Sequence, residues 1–201
     1  TGERAGVLGA GLTLTQVAES GGVRRTHPAV AHAAELVSTP LLRNMGTLGG
    51  NLCLDTRCNY YDQSYEWRKA IDFCMKKDGR ICWVATSSPK CLAVSSTDTA
   101  PVLQALGASI TLVSARGTRE LPVGDLYAND GMHYLTRRAD EILTAITLPS
   151  SAGWRSAYLP SGWGAGRGRV HLLGDGAFLR RLYPGAPDRR WTAAPVPAAR
   201  G

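Results

Sequence analysis

Cys53, Cys58, Cys74, Cys82 and Cys91 all fall between residues 53 and 91, and the rest of the 201-residue chain has no cysteine. Their segment, NYYDQSYEWRKAIDFCMKKDGRICWVATSSPKC, is rich in Tyr and Trp, mixed in charge and too poor in aliphatics to build a core. Order there must come from something besides apolar burial, and the thiols are the means at hand. Three shared roles compete with the reading of unrelated buried cysteines. Disulfides need an oxidising compartment, and nothing in this sequence marks secretion. Structural zinc presents its thiolates as closely spaced knuckles, whereas one C-x4-C is followed here by gaps of 15, 7 and 8 residues. A [4Fe–4S] cluster can draw four thiolates from a long loop, because the inorganic core and not the local chain sets the tetrahedron. Binding it would also supply folding energy. Tyr60, Tyr61, Trp67 and Trp83 would then exclude water from it, or else form ordinary aromatic packing.

With 44% hydrophobic residues the remainder can bury a real core. No apolar run reaches the length of a membrane span, and no basic region precedes an apolar leader. The expectation is a soluble, cytoplasmic protein with no membrane partner, whose true start lies upstream of Thr1. The net charge of +7 would suggest nucleic acid, but seven Arg against Asp175 and Asp188 after residue 159 account for most of it. The basicity belongs to a tail rich in Gly, Pro and Arg, expected to be disordered or the product of a coding-frame error. No nucleic-acid partner is expected.

AGVLGAGLTLTQVAES reads as a strand, a Gly turn and a helix capped by Thr13 or Thr15. Gly9-Ala10-Gly11 lacks the third glycine and the acidic residue of a dinucleotide fingerprint. HPAVAHAAELVSTP is helical through Leu36 and ends before Pro40, and 41–52 is expected as a glycine-punctuated loop. TDTAPVLQALGASITLVSARGTRELP gives a helix ended at Gly107, with Asp98 suited to its N-cap, a strand from Ser109 to Ser114, and a turn at Arg116-Gly117 into a second strand. DEILTAITLP closes with an apolar strand, and a further turn falls at Lys77-Asp78-Gly79. This mixed order, without βαβ alternation, argues for an α+β fold. His27, His32, His133 and His171 are scattered and read as surface or packing residues, so no catalytic acid–base pair is expected.

In STPLLRNMGTLGGNL, Gly46, Gly49 and Gly50 allow close backbone approach to a ligand, and successive amides of such a loop can form an anion-binding concavity. Thr47 and Asn51 add side-chain donors. A plain turn explains the same glycines.

This stretch resembles the flavin-contacting loop of the FAD subunits of the molybdenum hydroxylases, the xanthine dehydrogenase family. SSTDTAPVLQALGASITL is similar to that family's second flavin segment, and DEILTAITLP to the strand after it. The resemblance covers about residues 5–159. It implies a molybdopterin-dehydrogenase-type FAD-binding domain, made of 1–57 and 92–150, interrupted by an iron–sulfur insertion at 58–91 and followed by the atypical tail at 151–201. Thr47, Leu48, Gly49, Gly50 and Asn51 would contact FAD, chiefly through backbone amides. Asp98 would hold a polar part of the flavin chain, Ile142 and Leu143 would lie near the ring, and Asn59 is a looser candidate.

Most flavin subunits of the family lack the insertion. A reductive branch has it, with the same 15, 7 and 8 spacing, which implies Cys58, Cys74, Cys82 and Cys91 as ligands of a [4Fe–4S] cluster and leaves Cys53 spare. The implied partners are a [2Fe–2S] small subunit, a molybdopterin large subunit and a ferredoxin-like electron donor. The chain would be an electron-transfer oxidoreductase subunit with no substrate site of its own. An oxidative hydroxylase subunit is one alternative, and a zinc-stapled, non-enzymatic binding module another. The family's first pyrophosphate loop lies upstream of Thr1. Pro160 stands where the family tends to have a Lys after Tyr-Leu.

Overall fold

A computed structural model describes residues 6–151 together with the strand residues 155–160 and 168–173. Strand β1 (Gly6–Gly9) leads through a glycine turn into helix α1 (Leu14–Glu19). Thr13 caps that helix in a reciprocal box: its hydroxyl accepts from the Gln16 amide at 3.1 Å while Gln16 Oε1 accepts from the Thr13 amide at 2.9 Å. Helices α2 (Gly21–Thr26) and α3 (Pro28–Glu35) follow, and α3 stops at Leu36, as the sequence indicates. Its alanines and Val30 are buried, so α3 forms the centre of the helical side of the core.

Residues 41–52 depart from the expected loop. Pro40–Met45 is helix α4, begun by the Thr39 hydroxyl cap and Pro40, and Leu48–Leu52 is helix α5, capped by Thr47. Two glycines disfavour a helix intrinsically. Here tertiary packing overrides that preference, because Leu48 and Leu52 are completely buried.

Helix α6 (Tyr65–Ala70) is the one helix between Cys58 and Cys91 in the described chain. Helix α7 (Ala100–Ala105) ends before Gly107, which takes φ +70° and turns the chain into strand β2 (Ser109–Ser114). Asp98 is not the cap of α7: the cap residue is Thr99, and the Ala100 amide donates to the Thr97 hydroxyl at 3.3 Å. Strand β3 (Gly117–Pro122), a 3₁₀ turn and strand β4 (Ile142–Leu148) complete an antiparallel sheet in the order β1-β4-β2-β3. Ile110, Leu112, Ile146 and Leu148 point from β2 and β4 into the same core as the helices, which makes the fold α+β. A register shift between Thr111 and Leu112 places Leu112 opposite Leu143.

The expected tail holds a hairpin, strands β5 (Arg155–Pro160) and β6 (Gly168–Leu173), paired from Arg155–Leu173 to Pro160–Gly168. Its other residues lie outside those described. Among the described residues no helix is long and apolar enough to cross a membrane.

Candidate flavin and thiol sites

Helix α5, the turn after β1 and the start of β4 meet around a solvent-open cavity of about 340 Å³. Ala10, Gly11, Gly49 and Gly50 give it a floor almost free of side chains, and Thr47, Arg137, Ile142 and Leu143 stand around it. The glycine at 49 is required by packing: a Cβ there would sit 2.7 Å from the Ala10 Cβ. Thus α5 lies directly against the β1 turn. Five of the residues singled out in the sequence, Thr47, Gly49, Gly50, Ile142 and Leu143, share this cavity.

The other flavin-loop residues serve the frame. Leu48 is completely buried. The amides of Leu48, Gly49 and Asn51 donate to the carbonyls of Leu12, Ala10 and Thr47, and the Gly50 amide to the Thr47 hydroxyl. An open concavity of successive amides is therefore not what this segment forms; its donors are spent in the helical turn and in its junction with the β1 turn. Asn51 is buried, and its Oδ1 accepts from the Thr97 hydroxyl, the Thr99 amide and the Thr99 hydroxyl at 2.9, 3.0 and 2.7 Å. Its Nδ2 donates to Asp98 Oδ2 at 3.4 Å. Asn51 thus joins the two segments that resemble flavin-binding sequences and positions half-buried Asp98 between them. Asn59 is exposed and lines neither the α5 cavity nor the cysteine cavity.

Two residues at the α5 cavity carried no sequence signal. Arg137 reaches the Glu141 carbonyl at 2.5 Å and lies beside Cys53. Burial pushes the Cys53 thiol up, with the Arg137 guanidinium opposing it. Glu141, 1% exposed, receives Arg119 through Nε and Nη2 at 2.7 and 2.9 Å, and the Arg138 amide at 2.7 Å. The Arg119 hydrogen bonds outweigh its burial and hold the Glu141 carboxyl down at about 2.

The remaining four cysteines lie elsewhere. The Arg57 and Val94 backbones exchange hydrogen bonds of 2.8 and 3.0 Å and close the neck of the excursion between them. Inside it, Cys58, Cys74, Cys82 and Cys91 line a single small cavity with Tyr60, Tyr61, Lys76 and Trp83. Trp67 packs on Tyr60 with ring centroids 6.3 Å apart. Cys74 starts the expected turn: the Lys77 and Gly79 amides donate to its carbonyl, and a Cβ at Gly79 would lie 2.7 Å from its nitrogen. Burial pushes the Cys82 thiol up, but backbone donors at Leu92, Ala85 and Val84 outweigh it and leave the thiol below its ordinary value. Burial raises Cys91, and the facing thiols of Cys82 and Cys58 add to the rise.

Among the described residues no three His, Cys, Asp or Glu side chains are gathered tightly enough to hold one metal ion. A zinc ion needs its thiolates about 2.3 Å from one centre. Four thiols lining one cavity are the donor set that a multi-atom inorganic core would use, with one metal atom to each sulfur. Lys76 and Gly131 are the residues sequence reasoning missed here. A Cβ at Gly131 would lie 2.7 Å from Cys91 Sγ, and the Gly131 amide donates to the Cys91 carbonyl at 2.8 Å. A Lys two residues after a clustered Cys was the available sign for Lys76.

His27 is a packing residue: it is buried, with Nε2 donating to the Pro149 carbonyl at 2.9 Å. His171 and the surroundings of Pro160 lie outside the residues whose side chains are described.

A cavity floored by small residues between a helical turn and a sheet is suited to a bound cofactor that the backbone approaches closely. The family described as FAD binding domain in molybdopterin dehydrogenase matches residues 2–151, and the chain belongs to it. It is 30% identical over 160 residues to the FAD-binding subunit PaoB of an aldehyde oxidoreductase of Escherichia coli, covering 75% of this chain and 50% of that one. It is 27% identical to the medium subunit of nicotine 6-hydroxylase of Paenarthrobacter nicotinovorans, covering 77% of this chain and 38% of that one. The chain therefore spans half or less of the length of these relatives. Its fold matches carbon monoxide dehydrogenase from Hydrogenophaga pseudoflava at TM-score 0.54 and 19% identity, covering 86% of this chain and 53% of that one. The reconstituted CO dehydrogenase from Oligotropha carboxidovorans matches at TM-score 0.56 and 20% identity, with 86% and 48% covered.

Proposed function

We propose that the chain is an electron-transfer subunit of a molybdenum-dependent oxidoreductase, holding FAD at the α5 cavity and a [4Fe–4S] cluster on Cys58, Cys74, Cys82 and Cys91. The observation that carries this reading is the sorting of the thiols: four cysteines far apart in sequence line one chamber, while Cys53 belongs to the flavin cavity. Bound FAD would take two electrons and pass them singly, which suits a one-electron cluster nearby. The chain's own part is binding and tuning. Gly49 and Gly50 leave the floor open, Asn51 sets Asp98, Arg137 supplies a cation, and the amides around Cys82 aim at its sulfur. Partners on this reading are a [2Fe–2S] small subunit and a molybdopterin large subunit.

The particular activity proposed is that of the beta subunit of 4-hydroxybenzoyl-CoA reductase, in which electrons from a ferredoxin-like donor reach the molybdenum subunit and the phenolic hydroxyl is removed to leave benzoyl-CoA. The insertion and its 15, 7 and 8 spacing support it. A second reading, electron flow outward from an aldehyde or N-heterocycle, is favoured by the likeness to subunits of an aldehyde oxidoreductase and a nicotine 6-hydroxylase.

Anaerobic purification of the assembled complex tests both. About four irons on this subunit, with bound flavin, are expected. Benzoyl-CoA formed from 4-hydroxybenzoyl-CoA under a low-potential reductant supports the reductase. Turnover of aldehydes alone with an oxidising dye supports the second reading, and a subunit without flavin or iron overturns both.

A further inference from the structure

Lys76 is a charged side chain in an unexpected place. Its side chain is 7% exposed, and it lines the cavity of the four thiols. Its Nζ donates to Asp55 Oδ1 at 2.8 Å, to the Thr56 hydroxyl at 2.6 Å and to the Gly131 carbonyl at 2.9 Å. Above it lie the rings of Tyr61 and Tyr134, at 5.1 and 5.6 Å from their centroids. These contacts fix the nitrogen in one position.

Burying a cation costs free energy unless negative charge is near. Asp55 alone is a weak counterweight, because its side chain is about half exposed. Four thiolates bound to a cluster in the same chamber would supply the missing charge. Tethering matters as well. Through Thr56 and Gly131 the lysine holds the neck of the insertion to the loop that presses on Cys91, so its distance from the chamber is set by backbone on two sides.

We propose that Lys76 is a positioning residue that raises the reduction potential of the cluster site. The inference rests on the [4Fe–4S] reading above. Reduction adds one electron, delivered by the low-potential donor, and makes the chamber more negative by one unit. A fixed cation beside it favours that more negative state. Neutralising the cation disfavours reduction, and removing the competing Asp55 charge favours it.

The test compares the assembled complex carrying Lys76→Met, Lys76→Arg or Asp55→Asn with wild type, by iron content and by an EPR-monitored titration with dithionite. Lys76→Met is expected to lower the reduction equilibrium constant at least tenfold, about 59 mV for one electron. Lys76→Arg should restore most of that loss, and Asp55→Asn should shift the potential the other way. If Lys76→Met fails to retain iron, Asp55→Asn decides, since it leaves the lysine in place. Unchanged potentials in iron-loaded variants overturn the role of Lys76 alone. A wild-type complex without iron on this subunit overturns the cluster reading, and this inference with it.

Discussion

Glu141 is nearly inaccessible to solvent and still ionised, because Arg119 grips both its oxygens and the Arg138 amide adds a third donor. Its folded value of about 2 lies below the usual carboxylate value, so the group stabilises the fold above the unfolded value of about 4.3. That contribution disappears as pH falls through about 2. The melting temperature of wild type should therefore exceed that of Glu141→Gln at neutral pH, and the two curves should converge as the pH falls from about 4 towards 2. A gap that stays constant to low pH would show that the carboxylate is not held by its charge. At Gly131 the constraint is steric. Ala would place a Cβ within 2.7 Å of Cys91 Sγ and 2.8 Å of Ala93. Gly131→Ala should cost about 1–3 kcal/mol in denaturant unfolding and lower iron content, because Cys91 must move. Full iron retention would mean that the loop yields and the thiol does not. Neither residue could be found in sequence: Arg119 and Glu141 stand 22 positions apart, Cys91 and Gly131 farther still, and no local pattern links such partners.

At the scale of elements, what reads from sequence is whatever local chemistry decides. The strand Ser109–Ser114 and the helix stop at Gly107 follow from alternating burial and a left-handed glycine, and both appear as the sequence indicates. Helix α5 does not read this way, because its glycines argue against a helix that only the burial of Leu48 and Leu52 and the junction with the β1 turn make stable. The same hidden tertiary role applies to Asn51. Its oxygen is the shared acceptor for three groups on the 97–99 segment, all of them buried. Asn51→Ala leaves those donors without a partner, and an expected loss of about 2–4 kcal/mol follows from one to three buried unsatisfied groups. Since the amide also sets Asp98, flavin content of the purified complex should fall more than in Asn59→Ala, whose exposed side chain lines neither cavity. Equal flavin content in both variants would separate the Asn51 network from cofactor binding.

For the whole molecule, the division of labour follows from where apolar side chains are. The buried cluster draws on residues before 54 and after 99, and none of its fully buried members comes from the segment between. That segment is organised by other means: the Arg57–Val94 neck, the Lys76 tether, Arg68 lying 5.9 Å from the rings of Tyr61 and Phe73, and the thiols. Even its backbone is unusual, with Asp72, Phe73 and Asp78 all at positive φ around Cys74. Such conformations are costly for bulky side chains and persist where surrounding contacts enforce them. The composition of the stretch made its weakness as a core legible in sequence, but not the chamber, which depends on turns that bring four distant cysteines together. If metal binding supplies the folding energy here, its removal should act on one part of the chain only. Replacing Cys58, Cys74, Cys82 and Cys91 together by Ser should open 58–91 to protease while the sheet and its helices still unfold as one cooperative unit, shifted by no more than about 1 kcal/mol in denaturant midpoint energy. Protease cutting and hydrogen exchange, mapped by mass spectrometry, would read both regions at once. Loss of protection throughout β1, β2 and β4 would instead mean that the insertion props up the core, and that the two parts of the fold are not independently stable.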